Sequence, residues 1–267
     1  MKRAELSEVQ DIAYGILVEF DRICRKHDVK YSLEGGTLLG AVKYGDFVPW
    51  DDDIDVIMLR SEYDKFLKIA PGELREDYFL QSYKNVPEFP LNYAKLCYKR
   101  SKIYDYSYSH IEKMNHGIFM DIFPIDNVEP KRLRNQLHKI GLLTGARVTK
   151  LNNPIGGIAE WKKCCYRIVA CLPMKTLCFL VDKACERYNG YDTGFCYEVC
   201  NSNRKFKPLP SEIYRNITKL RFRDQEFLAV SAYDDFLRSR FGENYMHELP
   251  PEECRKPSHS RNILIER

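Results

Sequence analysis

Four aspartates stand within five positions, at Asp51, Asp52, Asp53 and Asp55, directly before an apolar segment that is typical of a strand. Alternate residues of a strand point to the same face, so Asp51, Asp53 and Asp55 should share one side, with the Cα atoms of Asp53 and Asp55 roughly 6.5 Å apart. Crowded carboxylates repel one another, and Mg²⁺ takes carboxylate oxygens while it keeps positions open for phosphate. The spacing favours a divalent metal site, although a helix cap or a solvated acidic turn would use the same residues.

A Gly-Gly pair precedes the aspartates, between a predicted short strand and a predicted short helix at 37–42. Glycines let the backbone approach a phosphate, and the N–H groups at a helix N-terminus favour anions. Gly35, Gly36 and Thr37 are therefore candidates for binding a diphosphate, and a plain tight turn is the alternative. Trp50, beside the aspartates, would stack on a base or wedge the loop.

A third carboxylate interrupts a later apolar run, where Asp121 stands within residues 117–125. An unpaired buried aspartate is costly, and a bound metal would remove that cost. Hydrogen bonds to backbone amides or an ion pair with Lys95 would also do so. Lys95 lies in a predicted strand and would either neutralise a phosphate or remain a surface lysine.

These features recur as one ordered set of motifs. The N-terminal segments are 33–42, 47–55 and 120–126, and the C-terminal ones are 221–224, 233–237, 241–246 and 249–251, followed by Arg255 and His259. The set resembles the LicD family, a branch of the nucleotidyltransferase-fold superfamily to which fukutin-related proteins are similar. Arg255 and His259 would contact donor or acceptor, and for His259 an ordinary surface histidine is the alternative.

The resemblance implies an α+β fold with a nucleotidyltransferase-like mixed β-sheet, flanked by helices and carrying an inserted helical region. The order of predicted elements agrees with that class. The resemblance also implies transfer of a substituted phosphate to a sugar hydroxyl of a cell-surface glycan or its lipid-linked precursor, with release of CMP. The donor would be a CDP-alcohol, most often CDP-choline, and fukutin-related proteins use CDP-ribitol.

Phosphoryl transfer needs positioning and charge neutralisation more than covalent catalysis. Two Mg²⁺ or Mn²⁺ ions would bind the donor diphosphate and lower the pKa of the acceptor hydroxyl. We assign Asp53 and Asp55 to both metals, and Asp121 as a ligand and candidate general base. Asp51 and Asp52 would hold metal-bound water or cap the loop. A nucleotidyltransferase that moves the NMP, or a non-catalytic peripheral membrane protein on this fold, are the alternatives.

Three tyrosines alternate at Tyr104, Tyr106 and Tyr108. On a strand they would line one face, and aromatic faces attract the quaternary ammonium of choline. Ordinary packing of an aromatic strand is the alternative interpretation.

The 267 residues are 44% hydrophobic and 30% charged, which is typical of a soluble globular protein. No apolar run reaches the ~20 residues that span a bilayer, and the N-terminus lacks the apolar stretch of a signal peptide, so we expect a cytoplasmic protein. A net charge of +4 is too small to indicate nucleic-acid binding. The ten cysteines form no matched Cys-x2-Cys pairs and are read as reduced thiols.

We predict a nucleotidyltransferase-like core at 1–130, a basic helical insertion at 131–200 and a C-terminal segment at 201–267 that completes the catalytic domain. Residues 131–187 hold twelve Lys or Arg against three acids, a local charge of +9, so the rest of the chain carries −5. Within 161–188 cationic and apolar positions alternate. Either this segment lies on an anionic membrane, at the inner face of the cell membrane, or its apolar stripe packs on the core.

Overall fold

The computed structural model describes residues 2–104, 108, 110–151, 159–201, 207–247 and 263–266. Within these ranges the chain forms twelve strands and eight α-helices. The strands are β1 (Lys2–Arg3), β2 (Ser32–Leu33), β3 (Ile54–Leu59), β4 (Tyr78–Gln81), β5 (Ala94–Tyr98), β6 (Ser101–Ile103), β7 (Phe119–Asn127), β8 (Phe195–Tyr197), β9 (Leu209–Pro210), β10 (Ile217–Phe222), β11 (Gln225–Val230) and β12 (Ile263–Ile265). The helices are α1 (Leu6–Lys26), α2 (Gly35–Lys43), α3 (Arg60–Ile69), α4 (Pro130–Lys150), α5 (Glu160–Val169), α6 (Met174–Cys185), α7 (Ser211–Arg215) and α8 (Tyr233–Phe241).

The central sheet has the strand order β2-β3-β7-β5-β4, and β8 and β9 extend it from the end of β7. β3 and β7 run parallel, whereas β2 pairs antiparallel with β3, β5 with β7, and β4 with β5. With helices packed against it, this mixed sheet confirms the predicted α+β class. The sheet order places β3 and β7, which carry the predicted carboxylates, next to each other at its centre.

Helix α1 packs along the sheet through one apolar stripe. Val9, Ile16, Phe20 and Ile23 recur at helical spacing and are almost completely buried. Each such side chain stabilises the fold by about 1.5–3 kcal/mol, so the stripe holds α1 against β3, β5 and β7. The helix begins at a capping box in which the side chains of Glu5 and Glu8 bind each other's backbone N–H groups.

The three helices of the basic region differ in how deeply they pack. Leu133 and Ile140 of α4, with Val181 and Cys185 of α6, belong to the main hydrophobic core. No single helix in the described ranges is long and apolar enough to cross a membrane. The consecutive segments Glu160–Val169 and Met174–Tyr188 reach that length and composition only as a pair, and they are bent by 110° at their junction. The division into three regions stays a prediction.

The β10–β11 hairpin fixes the loop that leads to the aspartates. Its turn residue Arg223 adopts a φ of +57°, which is uncommon for a residue other than glycine. The Arg223 N–H donates to the Gly45 carbonyl at 2.6 Å, and its Nε donates to Asp46 Oδ1 at 2.8 Å. Its guanidinium also lies 5.2 Å and 5.0 Å from the ring centroids of Tyr14 and Phe47. These contacts offset the backbone strain and hold the loop in place.

Candidate active site

Three charged side chains stand in one row across the centre of the sheet. The parallel register aligns Asp55 of β3 with Asp121 of β7, and the antiparallel register aligns Asp121 with Lys95 of β5. Paired residues of adjacent strands point to the same face, with the strands about 4.8 Å apart. The fold therefore brings together two of the predicted catalytic carboxylates and the predicted phosphate-neutralising lysine.

Lys95 and Asp121 form a buried ion pair. Lys95 Nζ donates to Asp121 Oδ1 at 2.6 Å, and the two side chains are 9% and 12% exposed. Lys95 Nζ also lies 3.1 Å from the ring centroid of Phe119. The interpretation of Lys95 as a surface lysine is therefore wrong, and the ion pair that the sequence left open for Asp121 is present. The roles of both residues toward metal and phosphate stay predictions.

The neighbouring aspartates converge in the loop before β3. The strand begins at Ile54, one residue later than predicted, so Asp53 lies directly before it and Asp55 within it. The three residues from Asp51 to Asp53 turn together, and one carboxylate oxygen of each lies within 4.8 Å of the others. The loop is held because Asp51 accepts a hydrogen bond from Gln10 Nε2 at its carbonyl, at 2.8 Å.

Burial and the mutual repulsion of neighbouring carboxylates dominate the electrostatics of this cluster. Burial raises the pKa of the Asp51 carboxyl to about 8, and the charge of Asp53 adds to the shift. Burial also raises the pKa of Asp55, with further contributions from Asp53 and Asp121. A divalent cation would reverse both effects, because it favours the ionised form of each ligand. Converging hard oxygen ligands with raised pKa values therefore fit Mg²⁺ or Mn²⁺.

The two glycines form the first turn of α2, two residues earlier than predicted. Gly35 has a φ of +53°, and a Cβ on it would lie 3.4 Å from Asp55 Oδ2. A Cβ on Gly36 would overlap the Asp51 carboxylate. Thr37 Oγ1 accepts a hydrogen bond from the Asp55 N–H at 2.9 Å. The glycines thus let the positive end of a helix approach the carboxylates closely, which suits a site that also binds phosphate.

A buried ion-pair network, which sequence reasoning missed, supports this helix start. Arg240 Nη2 of α8 lies 3.0 Å from Glu34 Oε1 and 3.4 Å from Glu198 Oε2, and all three side chains are at most 8% exposed. Burial raises the pKa of Glu34 to about 8, and Arg240 opposes that shift. Glu34 directly precedes Gly35, and its N–H donates to the Asp55 carbonyl at 3.0 Å. The C-terminal helix therefore positions the N-terminus of α2.

A cleft of about 510 Å³ opens beside Gly36 and Asp51. Its walls are Gly36, Leu39, Lys43, Tyr44, Val48, Trp50, Asp51, Phe241, Asn244, Tyr245 and His247. Two larger cavities of about 610 and 780 Å³ lie along α4 and the segment 183–193, and both have Arg132 and Arg187 in their walls. Of these three cavities, the cleft beside Gly36 has Asp51 in its wall, and Trp50 also lines it.

The predicted aromatic strand is wrong for the tyrosines that the structure describes. β6 ends at Ile103, which is also its last residue that pairs with the described part of β12. Tyr104 is 47% exposed, and Tyr108 lies in a turn against a second hydrophobic cluster, so the two do not share a strand face. Tyr106, Arg255 and His259 lie outside the described residues.

The mixed sheet, the glycine-started helix and the row of charged side chains belong to a domain of the α+β class. Residues 28–139 match the family described as LicD/FKTN/FKRP, nucleotidyltransferase domain. This match, with the similarity over the whole chain described next, confirms the resemblance to the LicD family.

The relatives of the chain include named transferases. The chain is 28% identical to the lipopolysaccharide cholinephosphotransferase LicD of Haemophilus influenzae, over 99% of this chain and all of that protein. It is 61% identical to the human ribitol 5-phosphate transferase FKRP over 28 residues, which are 10% of this chain and 6% of that protein. An uncharacterized protein of Rickettsia typhi is 33% identical over 27% of this chain and 23% of its own length. These similarities support a transferase of phosphate-containing groups.

Proposed function

We propose that this protein transfers phosphocholine from CDP-choline to a sugar hydroxyl of a cell-surface glycan or its lipid-linked precursor, and releases CMP. The observation that carries the proposal is the register that aligns Asp55, Asp121 and Lys95 beside the glycine-started helix. The similarity to a cholinephosphotransferase over the whole chain supports the choice of donor.

Each part of the site has a role in such a transfer. Asp53, Asp55 and Asp121 would hold Mg²⁺ or Mn²⁺, which would neutralise the donor diphosphate and acidify the acceptor hydroxyl. The N–H groups at the start of α2, at Gly36 and Thr37, donate to the diphosphate. Asp121 accepts the proton of the attacking hydroxyl, and its 2.6 Å contact with Lys95 fixes the orientation of its carboxyl group.

The cleft beside Gly36 is suited to the nucleoside part of the donor. It adjoins the helix start that would bind the diphosphate, and Trp50 and Tyr245 supply aromatic surface in its walls. Base–aromatic stacking is worth about 1–3 kcal/mol and needs no sequence-specific hydrogen bond. The cytidine would lie in this cleft, with the phosphates directed to Gly36 and the carboxylates.

The decisive experiment incubates the protein with Mg²⁺, a sugar acceptor and a panel of CDP-choline, CDP-ribitol and CDP-glycerol. We expect CMP release with a preference for CDP-choline, and phosphocholine attached to the acceptor by mass spectrometry. Release of pyrophosphate or of the phosphoalcohol would instead indicate nucleotidyl transfer. No turnover with any donor and acceptor, under conditions in which the protein binds Mg²⁺, would contradict the proposal.

Metal binding should change how stability depends on pH. In the metal-free protein the pKa of Asp51 is about 8, above its usual value of about 3.9, so its contribution to the free energy of unfolding is lost as pH rises through 8. We therefore expect the melting temperature of the metal-free protein to fall between pH 6 and 9, in part through this group, and Mg²⁺ to stabilise most at the higher pH.

The measurement is a series of thermal melts with EDTA or Mg²⁺. Asp51→Asn should flatten the pH dependence of the metal-free protein, and Asp235→Asn, a change at an exposed position of α8, should leave it as in wild type. A Mg²⁺ stabilisation that is independent of pH and equal in both variants would refute the assignment of this cluster.

A further inference from the structure

Helix α5 carries its apolar residues on the side away from the protein. Trp161, Cys164 and Ile168 recur at helical spacing, and Trp161 and Ile168 are 66% and 68% exposed. The helix is held to α4 where the ring of Tyr166 lies directly over Gly145. None of the ten residues of α5, all of which the structure describes, is buried. Packing on the core, the alternative left open by the sequence, therefore does not explain this apolar stripe.

The exposed surface continues past the end of α5. Leu172, in the bend before α6, is 37% exposed, and Phe179 and Leu180 of α6 are 49% and 36% exposed. The other side of α6 is different, because Leu177 and Val181 are buried in the protein. The bent pair of helices is thus anchored in the protein through one side of α6 and is apolar on its outer side.

Cations flank the apolar stripe. Lys162 and Arg167 are exposed on α5, and Lys162 Nζ lies 5.4 Å from the ring centroid of Trp161. The one acid of the helix, Glu160, pairs with Lys163 at 2.7 Å. The surrounding region 131–187 carries +9, so the surface around the stripe attracts anions. Apolar residues bordered by cations are typical of a helix that lies in the head-group region of a membrane.

A bilayer fits this surface better than a protein partner does. α5 is only about 15 Å long, and a stable protein interface usually buries about 800 Å² on each side. Shallow insertion of a few apolar side chains requires no such area, and attraction to anionic head groups supplies the rest of the binding. The exposed apolar stripe with its flanking cations is therefore complementary to an anionic lipid surface.

We propose that α5 and the following bend bind the surface of a bilayer that contains anionic lipids. Trp161, Ile168 and Leu172 insert at the boundary of the acyl chains, and Lys162 and Arg167 contact the head groups. The binding does not depend on the proposed transfer reaction. If that reaction occurs, docking here would keep the enzyme at the surface where a lipid-linked acceptor is found.

The test is co-sedimentation of the full chain with vesicles of phosphatidylcholine alone or mixed with phosphatidylglycerol. We expect binding to the anionic vesicles only, with loss of binding as NaCl rises from about 0.05 M to about 1 M, because screening shortens the range of the attraction. The proposal would be overturned if the wild-type protein did not co-sediment with anionic vesicles at low salt. It would also be overturned if the protein bound neutral and anionic vesicles equally.

Paired variants separate insertion from general charge attraction. Trp161→Ser with Ile168→Ser should weaken binding about tenfold or more, whereas Tyr191→Ser, at a residue equally exposed at 68%, should have no effect. Lys162→Glu with Arg167→Glu should weaken it at least about twentyfold. Arg132→Glu with Lys139→Glu makes the same charge change in the first half of α4, away from the contact of Gly145 with α5, and should retain most binding.

Two outcomes with these variants would contradict the proposal that α5 binds the bilayer. Equal losses in the α5 variants and their controls would show unspecific attraction to the basic region. Concentration-dependent self-association that the serine variant abolishes would assign the stripe to a contact between copies of this chain. Circular dichroism and melting temperature verify folding, and turnover on a soluble acceptor should be unchanged in the α5 variants, so failure of membrane binding and failure of the transfer reaction are distinguishable.

Discussion

Asp55→Asn and Asp121→Asn should each reduce turnover at least about a thousandfold, while they shift stability in opposite directions. Both carboxylates stand in the central row of the sheet, where the proposed metal and acceptor hydroxyl would bind. Asparagine keeps the size of the side chain but removes the charge. The chemical effect should therefore appear in the rate constant of transfer, measured as CMP release at saturating donor.

The stability effects differ because the two residues have different neighbours. Asp55 is buried among like charges, so its neutralisation relieves repulsion and should raise the melting temperature of the metal-free protein. Asp121 faces the same repulsion across about 4.8 Å of strand spacing but attracts Lys95 at 2.6 Å. Since the attraction acts over about half the distance, Asp121→Asn should be destabilising, by about 3 kcal/mol if Lys95 stays charged.

Thermal melts in EDTA and rate measurements in Mg²⁺ test both halves of this prediction. Asp235→Asn, at an exposed site on α8, is the control for a neutralised aspartate and should change neither quantity. Wild-type turnover in Asp55→Asn would refute its role in catalysis. A rise in melting temperature for Asp121→Asn would show that the pair with Lys95 does not stabilise the metal-free protein.

The parts of the site that follow from local sequence were predictable. The Gly-Gly pair, the aspartate run and Asp121 each break a local rule of composition. In the structure the glycines begin α2, the aspartate run leads into β3, and Asp121 lies within β7. The α+β class also followed, because strand and helix periodicity is a local property. A buried carboxylate in an apolar strand is costly, and that cost is visible in the sequence without a structure.

The long-range parts were not predictable from local pattern. Pairing of Lys95 with Asp121 depends on the register of β5 against β7, which the sequence of neither strand specifies. The sequence did not show whether the apolar stripe of α5 is exposed or buried. An amphipathic helix needs a surface to pack against, but its sequence does not specify whether that surface is the protein core or a membrane. Tyr104 and Tyr108 lie outside any strand, and the alternation of tyrosines did not reveal this, because alternation alone does not supply a strand to pair with.

Arg240 shows this limit most clearly and leads to the prediction with the largest effect on stability. It lies in the last turn of an ordinary helix, yet its guanidinium lies between Glu34 and Glu198, whose side chains are almost completely buried. Arg240→Met would leave two buried carboxylates without this counter-charge. We expect a loss of about 3–5 kcal/mol in the free energy of unfolding. Turnover should fall as well, because Glu34 sets the start of α2.

Arg238→Met is the matched control, two residues earlier in the same helix. Its side chain is 40% exposed and pairs with Asp234 and Glu243 at the surface, so its loss should change the melting temperature little. Burial raises the pKa of the Glu34 carboxyl, and this shift determines how the stability of Arg240→Met changes with pH. Because raised carboxyl pKa values contribute stability that is lost as pH rises, Arg240→Met should be more stable at pH 6 than at pH 8.5.

A second substitution separates lost charge from lost packing. Adding Glu34→Gln to Arg240→Met removes one of the two carboxylates and should recover part of the stability and flatten its pH dependence. If the guanidinium mattered only as a space-filling group that packs on the Phe236 ring, 5.0 Å from its centroid, the double variant would be no more stable than Arg240→Met. Denaturant melts of wild type, both single arginine variants and the double variant at two pH values decide between these accounts. Recovery would show that the charge of Arg240, on α8, stabilises the fold by balancing the buried carboxylate of Glu34, next to the start of α2.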